Sequence, residues 1–309
     1  MMVEKGWTTM EQLVKAAKAD YGYISGLTGA LCARYPCLSA APMGRSVLGR
    51  SIWGITLGMG RERVLMAAAF HAQEWLTSLV CLRLCEEIAA ALHSGREWNG
   101  WRMSRAMAGR SLVFVPMVNP DGVQVALYGA DAAAEYAETV RALGGDTHGL
   151  WQANVNGVDL NHNFNAGWAQ LQQEEQKNGI VGPSARRFGG AFPESEPETR
   201  ALTALCRRGD FRHAVALHSQ GEEIYWRYGE HTPPASRLMA LVMSSASGYR
   251  IADPEGLASH GGFKDWFIDE MHRPAFTIEL GKGQNPLPLA EFDAIYEKAR
   301  EMLLLSLMM

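Results

Sequence analysis

The chain has 309 residues, 47% hydrophobic and 20% charged, with a formal net charge of −4 at pH 7. That composition excludes a disordered or fibrous protein, and the mild acidity, without any Lys/Arg run, leaves nucleic acid without the basic footprint it needs. With no internal repeats or low-complexity linkers, the whole of residues 1–309 reads as one domain.

Residues 1–20 carry an acidic residue at once and no apolar stretch of signal-peptide length. They read as a possible N-terminal helical extension, and a cytoplasmic location is the expectation. No window approaches the roughly 18 apolar residues of a membrane span, so no membrane partner is expected. The five cysteines, Cys32, Cys37, Cys81, Cys85 and Cys206, form an odd set that fits a reducing compartment. Cys81 and Cys85, four apart on a predicted helix, read as small buried apolar residues.

Along the chain, VLMAAAF, ending at Phe70, reads as a buried strand, followed by a helix over 74–94. LVFVPMV ends a second strand at Val118, after which Asn119-Pro-Asp-Gly122 forms a turn. Ser195 with Glu198 resembles a capping box opening a helix over 195–208. AVAL leads to His218, a helix covers 234–247, AFTIEL surrounds Glu279, and a last helix covers 289–307. Strands alternating with helices predict an α/β fold: a single domain with a mixed, largely parallel, twisted sheet flanked by helices. Ligands then belong beyond the carboxyl ends of the strands, where His71, Asn119, His218 and Glu279 each fall.

His71 and Glu74 lie three residues apart at a strand-to-helix turn, so an imidazole and a carboxylate can face one point. His218 completes a set of two histidines and one glutamate, known from catalytic zinc sites and not deduced from this chain, which leaves a fourth position for water. One zinc ion per chain is the expectation. A ligand histidine passes its other ring N–H to an acceptor, and Asp159 in GVDLNHNF is the candidate for His71. Glu279 is an isolated carboxylate in an apolar run, costly to bury without a purpose, and a glutamate beside an activated water is a natural general base. His93, His148, His213, His231 and His272 have no ligand partner at useful spacing and read as structural.

From ARYPCLSAAPMGRSVLGRSIWGITLG to the C-terminus, the ordered blocks HAQEW, VNPDGV, GVDLNHNF, SEPETRAL, ALHSQGE, GGFKDWF and FTIELGKGQNPLP resemble the M14 zinc carboxypeptidases. Within them, the last block is most similar to the bacterial γ-D-glutamyl-meso-diaminopimelate peptidases that cleave cell-wall peptides. The resemblance implies a zinc carboxypeptidase-like fold, zinc at His71, Glu74 and His218, Glu279 as base and proton shuttle, and a muropeptide or other small peptide as substrate. Three departures qualify it. Asn161-His162 stands where the digestive enzymes have an Asn-Arg pair gripping the terminal carboxylate, and histidine cannot reproduce that planar clamp. Val155 falls where an arginine polarises the scissile carbonyl, which makes Asn154 the expected substitute donor, and Leu257, with His260 nearby, falls where a mobile tyrosine sits. Lys264 falls at the floor of the specificity pocket, where an ammonium pairs with a carboxylate on the substrate side chain. The alternatives are a metallocarboxypeptidase or deacylase with another acidic substrate, or a zinc-bound non-catalytic binding module.

Overall fold

The computed structural model describes residues 11–98, 100–147, 149–254 and 256–309. Its main sheet has eight strands: β1 Leu38–Arg45, β2 Ser51–Leu57, β3 Glu62–Ala68, β4 Arg110–Val115, β5 Phe211–His218, β6 Glu223–Tyr225, β7 Arg250–Ala252 and β8 Ala275–Glu279. Their order is β1-β2-β4-β3-β5-β8-β6-β7. The centre, β4-β3-β5-β8, is parallel, whereas β1, β2 and β4 pair antiparallel on one side and β6 runs antiparallel to β8 on the other. The sheet is therefore mixed with a parallel core, as expected.

The principal helices are α1 Tyr21–Arg34, α2 Leu76–Ser94, α3 Pro120–Tyr128, α4 Trp168–Lys177, α5 Pro197–Gly209, α6 Ala235–Ser247, α7 Phe263–Met271 and α8 Phe292–Met308. Alternate residues of each central strand point to opposite faces. Val64, Met66, Leu112, Phe114, Val215 and Leu217 pack with α1, α2, α6 and α8. Leu65, Ala67, Val113, Val115, Ala214 and Ala216 pack with α5 and α7. Burial on both faces is why these strands read as unbroken apolar runs.

Residues 11–20 contain no helix, and residues 1–10 lie outside the described residues. The helix expected from 195 starts at Pro197 with Glu196, not Ser195, as its cap residue; the Ser195 hydroxyl instead donates to Glu196 Oε1 at 2.8 Å. All five cysteines are free. No helix among the described residues is long and apolar enough to cross a membrane.

The turn after β3 sets up the site. Ala69 takes a left-handed backbone (φ 52°); its N–H donates to Thr77 Oγ1 at 3.0 Å, and that hydroxyl donates onward to the Glu74 carbonyl at 2.7 Å. Asn119 clamps the same turn from β4: its carboxamide donates to the carbonyls of Phe70 (3.1 Å) and Ala153 (3.2 Å) and accepts from Gly122 N at 3.0 Å. A Cβ on Gly122 would lie 2.3 Å from the Ala153 carbonyl oxygen, so the turn needs glycine there. Asn-Pro-Asp-Gly is thus a brace behind the cleft. Thr77→Val keeps the shape and orphans two buried groups. It is expected to cost about 1–3 kcal/mol in urea unfolding; an unchanged midpoint would show that the hydroxyl carries no part of the turn.

Candidate metal centre

His71 leaves β3, Glu74 closes a single 3-10 turn over Ala72–Glu74, and His218 ends β5. Glu279 ends β8 directly opposite His218 in the parallel register. His71 Nδ1 lies 2.8 Å from Glu74 Oε1, and His218 Nδ1 lies 3.0 Å from Glu74 Oε2. The two Nδ1 atoms are 3.3 Å apart. Among the described residues this is the one group of donor atoms gathered closely enough to hold a metal ion.

The donor set fits a divalent cation. Glu74 is 4% exposed and His218 1%, so a carboxylate sits among imidazoles with little water to screen it. Burial opposes ionisation of Glu74, yet His71 and His218 outweigh it and hold the carboxyl down to about 2. Burial likewise lowers His71, but Glu74 and Asp159 overcome it and the ring ends well above its usual range. His218 stays below its usual range because burial wins there. The trio therefore favours one positive centre between its nitrogens, and two imidazoles with a carboxylate suit zinc with a position left open. Phe70 stacks on the His218 ring, centroids 5.1 Å apart, and fixes its plane.

Asp159 lies beside His71. Its Oδ1 lies 3.2 Å from His71 Nε2 and accepts from Asn161 N at 3.1 Å; its Oδ2 accepts from Gln152 Nε2 (2.8 Å) and Arg187 N (3.1 Å). Burial would raise this carboxyl, but His162, His71 and the amide donors hold it well below the carboxylate range. Asn285, in the GQNPLP segment, is a supporting residue that pattern reading missed. Its Nδ2 donates to the Ser219 carbonyl at 2.6 Å and reaches Glu74 Oε1 at 3.4 Å, and its Oδ1 accepts from Ser219 Oγ at 2.7 Å.

In front of these residues lies a cleft of about 450 Å³, lined among others by His71, Asn161, His162, Arg187, Lys264 and Glu279. The Glu279 carboxylate has no hydrogen-bond partner among the described residues; burial, then the nearby Glu74, push it well above the usual range, with His71 pulling the other way. Asn161 accepts from Phe263 N at 3.0 Å, and His162 Nδ1 donates to the Arg187 carbonyl at 2.9 Å. Leu257 is also on the wall, while the His260 ring meets the Tyr228 hydroxyl at 3.0 Å. Tyr225, unmarked in the sequence, lines the cleft and donates to Glu223 Oε2 at 2.7 Å.

Two residues stand differently from the sequence reading. Asn154 is not among the residues lining the cleft: it is fully buried, its Nδ2 donates to Glu196 (2.7 Å) and Glu198 (3.3 Å), and its Oδ1 accepts from Asn156 N and Val158 N. Two buried acids claim it, and burial pushes Glu198 up to about 8. Val155 packs in the apolar cluster behind Ala72 and also stays out of the cleft. Lys264 lines the cleft but is not a lone charge: it is 4% exposed, donates to the Arg227 carbonyl at 2.7 Å and pairs with Asp265. The remaining histidines lie elsewhere: His93 against Tyr35, His213 donating to the Ser306 carbonyl, and His231 between Asp269 and His272; His148 is outside the described residues.

A family model for zinc carboxypeptidases, peptidase family M14, matches residues 25–303. The chain belongs to this family. It is 37% identical to γ-D-glutamyl-L-diamino acid endopeptidase 1 of Lysinibacillus sphaericus over 91% of this chain and 70% of that one. Among solved structures it matches thrombin activatable fibrinolysis inhibitor (TM-score 0.72, 18% identity, 97% of this chain and 77% of that chain). It also matches murein-tripeptide amidase MpaA of Escherichia coli O157 (TM-score 0.53, 23% identity, 85% and 91%). Those two likenesses speak for the fold. The zinc that the M14 family carries agrees with the His71, Glu74 and His218 donor set.

Asp159→Asn removes the charge facing His71 and keeps the shape. Zinc affinity, measured by competition with a chromophoric chelator, is expected to fall about 10- to 100-fold. Unchanged affinity would remove Asp159 from the metal centre.

Proposed function

We propose that this M14 peptidase hydrolyses the γ-D-glutamyl bond to a diamino acid in cell-wall-derived peptides, with one zinc ion per chain. The observation that carries the reading is the Lys264–Asp265 pair at the cleft. A lone lysine would select a carboxylate and a lone aspartate an ammonium. A paired surface of both signs is instead matched by a group bearing both, because each charge then gains a partner without leaving the other bare. The far end of meso-diaminopimelate, with an amine and a carboxylate on one carbon, is such a group. The Lysinibacillus relative, named for a γ-D-glutamyl-L-diamino acid bond, supports the same substrate class.

His71, Glu74 and His218 would hold the zinc ion, which would supply Lewis acidity and activate a water for attack. Glu279, whose carboxylate has no hydrogen-bond partner among the described residues and is raised by burial beside the donor set, takes a proton from the attacking water and delivers it to the nitrogen of the breaking C–N bond. One carboxylate and one free amine result. Asn161 and His162, fixed by Phe263 N and the Arg187 carbonyl, form the wall beside the leaving residue. The five free cysteines suit a reducing compartment, and we place the enzyme's work on muropeptides in the cytoplasm, without nucleic acid or membrane as a partner.

The test is hydrolysis of L-Ala-γ-D-Glu-meso-diaminopimelate, followed by mass spectrometry with and without chelator, beside an ordinary C-terminal dipeptide. Chelator-sensitive release of diaminopimelate is expected; cleavage of the ordinary peptide alone would overturn the substrate. Glu279→Gln is expected to keep zinc and lose about 10²–10⁴-fold in kcat, and a normal rate would remove it as base. Lys264→Met should lower kcat/KM for the diaminopimelate peptide more than for one ending in norleucine; equal losses on both would overturn the pocket.

A further inference from the structure

Two basic side chains, Lys264 and Arg187, line the cleft, and they differ in their partners. Lys264 already faces Asp265 and the Arg227 carbonyl. Arg187 is exposed, and its guanidinium has no hydrogen-bond or ion-pair partner among the described residues. Its backbone, by contrast, is held at both ends: N–H to Asp159 Oδ2 at 3.1 Å, and C=O accepting from His162 Nδ1 at 2.9 Å. Between those bonds the residue takes a left-handed conformation (φ 70°) that L side chains rarely adopt. A surface arginine whose only task is solubility needs no such fixing.

The anchoring places it on a continuous wall. Asp159 braces His71; Asn161 and His162 follow it; and Asn161 binds the first amide of α7, next to Lys264. The wall that carries Arg187 is thus the one that faces the residue whose side chain meets Lys264 and Asp265. We infer that Arg187 binds the α-carboxylate of the leaving residue, supplying across the loop the bidentate fork that His162 cannot form. Binding by that fork makes the enzyme favour a peptide that ends at the diamino acid. This rests on the proposed γ-glutamyl peptidase reading and specifies which end of the substrate it grips.

The test uses zinc-loaded full chain and three peptides: L-Ala-γ-D-Glu-meso-diaminopimelate, the same peptide amidated at the leaving residue's α-carboxylate, and the same peptide amidated at the D-Glu α-carboxylate. The wild type is expected to prefer the free acid over the first amide by on the order of 10- to 100-fold in kcat/KM. Arg187→Gln should bring that ratio toward one, and Arg187→Lys, with charge but no fork, should leave it between. A ratio that Arg187→Gln leaves unchanged would overturn the assignment, as would a collapse only of the preference at the D-Glu carboxylate. If no peptide is cleaved, the function reading fails by itself. Calorimetric binding of free meso-diaminopimelate against its α-amide then tests Arg187, whose substitution should weaken only the free acid.

Discussion

The Asp159 carboxylate joins the two halves of the site. One oxygen faces the ligand ring of His71, and the other receives the Gln152 side chain and the Arg187 amide. A buried carboxylate is costly alone, so its several donors are what permit it. The same donors tie the metal side of the cleft to the loop that carries Arg187.

The sheet supplies the remaining constraint. β3, β5 and β8 are adjacent and parallel around β5, so their carboxyl ends deliver His71, His218 and Glu279 to one rim. Residues separated by some 200 positions in sequence meet without a dedicated loop, in the general manner of parallel α/β sheets, whose ligands lie beyond the strand ends. Glu74 comes in on the turn that Thr77 and Asn119 hold from behind. Glu279, the proposed base, is the one acid of the rim whose carboxylate has no hydrogen-bond donor among the described residues, as a proton carrier requires.

Much of this is legible in the sequence itself. Strands buried on both faces leave unbroken apolar runs, so β3, β4, β5 and β8 and the residues at their ends could be read directly. Two of the flanking strands could not: β6 and β7 are three residues each, too short for a pattern. The burial of Asn154 is not legible because Glu196 and Glu198, some forty residues on, take up its amide hydrogens, and tertiary contacts of that kind leave no periodicity. Lys264 was found, but its pairing with the next residue depends on side-chain direction. Arg187 and Asn285 lie in irregular segments, where neither period nor spacing marks a role.

The central claim is the ligand set itself, and zinc-edge X-ray absorption on the purified, zinc-loaded protein tests it most directly. The account predicts one zinc per chain in a shell of nitrogen and oxygen scatterers, with imidazole outer-shell features that diminish in His218→Ala. A sulfur shell, or a spectrum unchanged by that substitution, would contradict it.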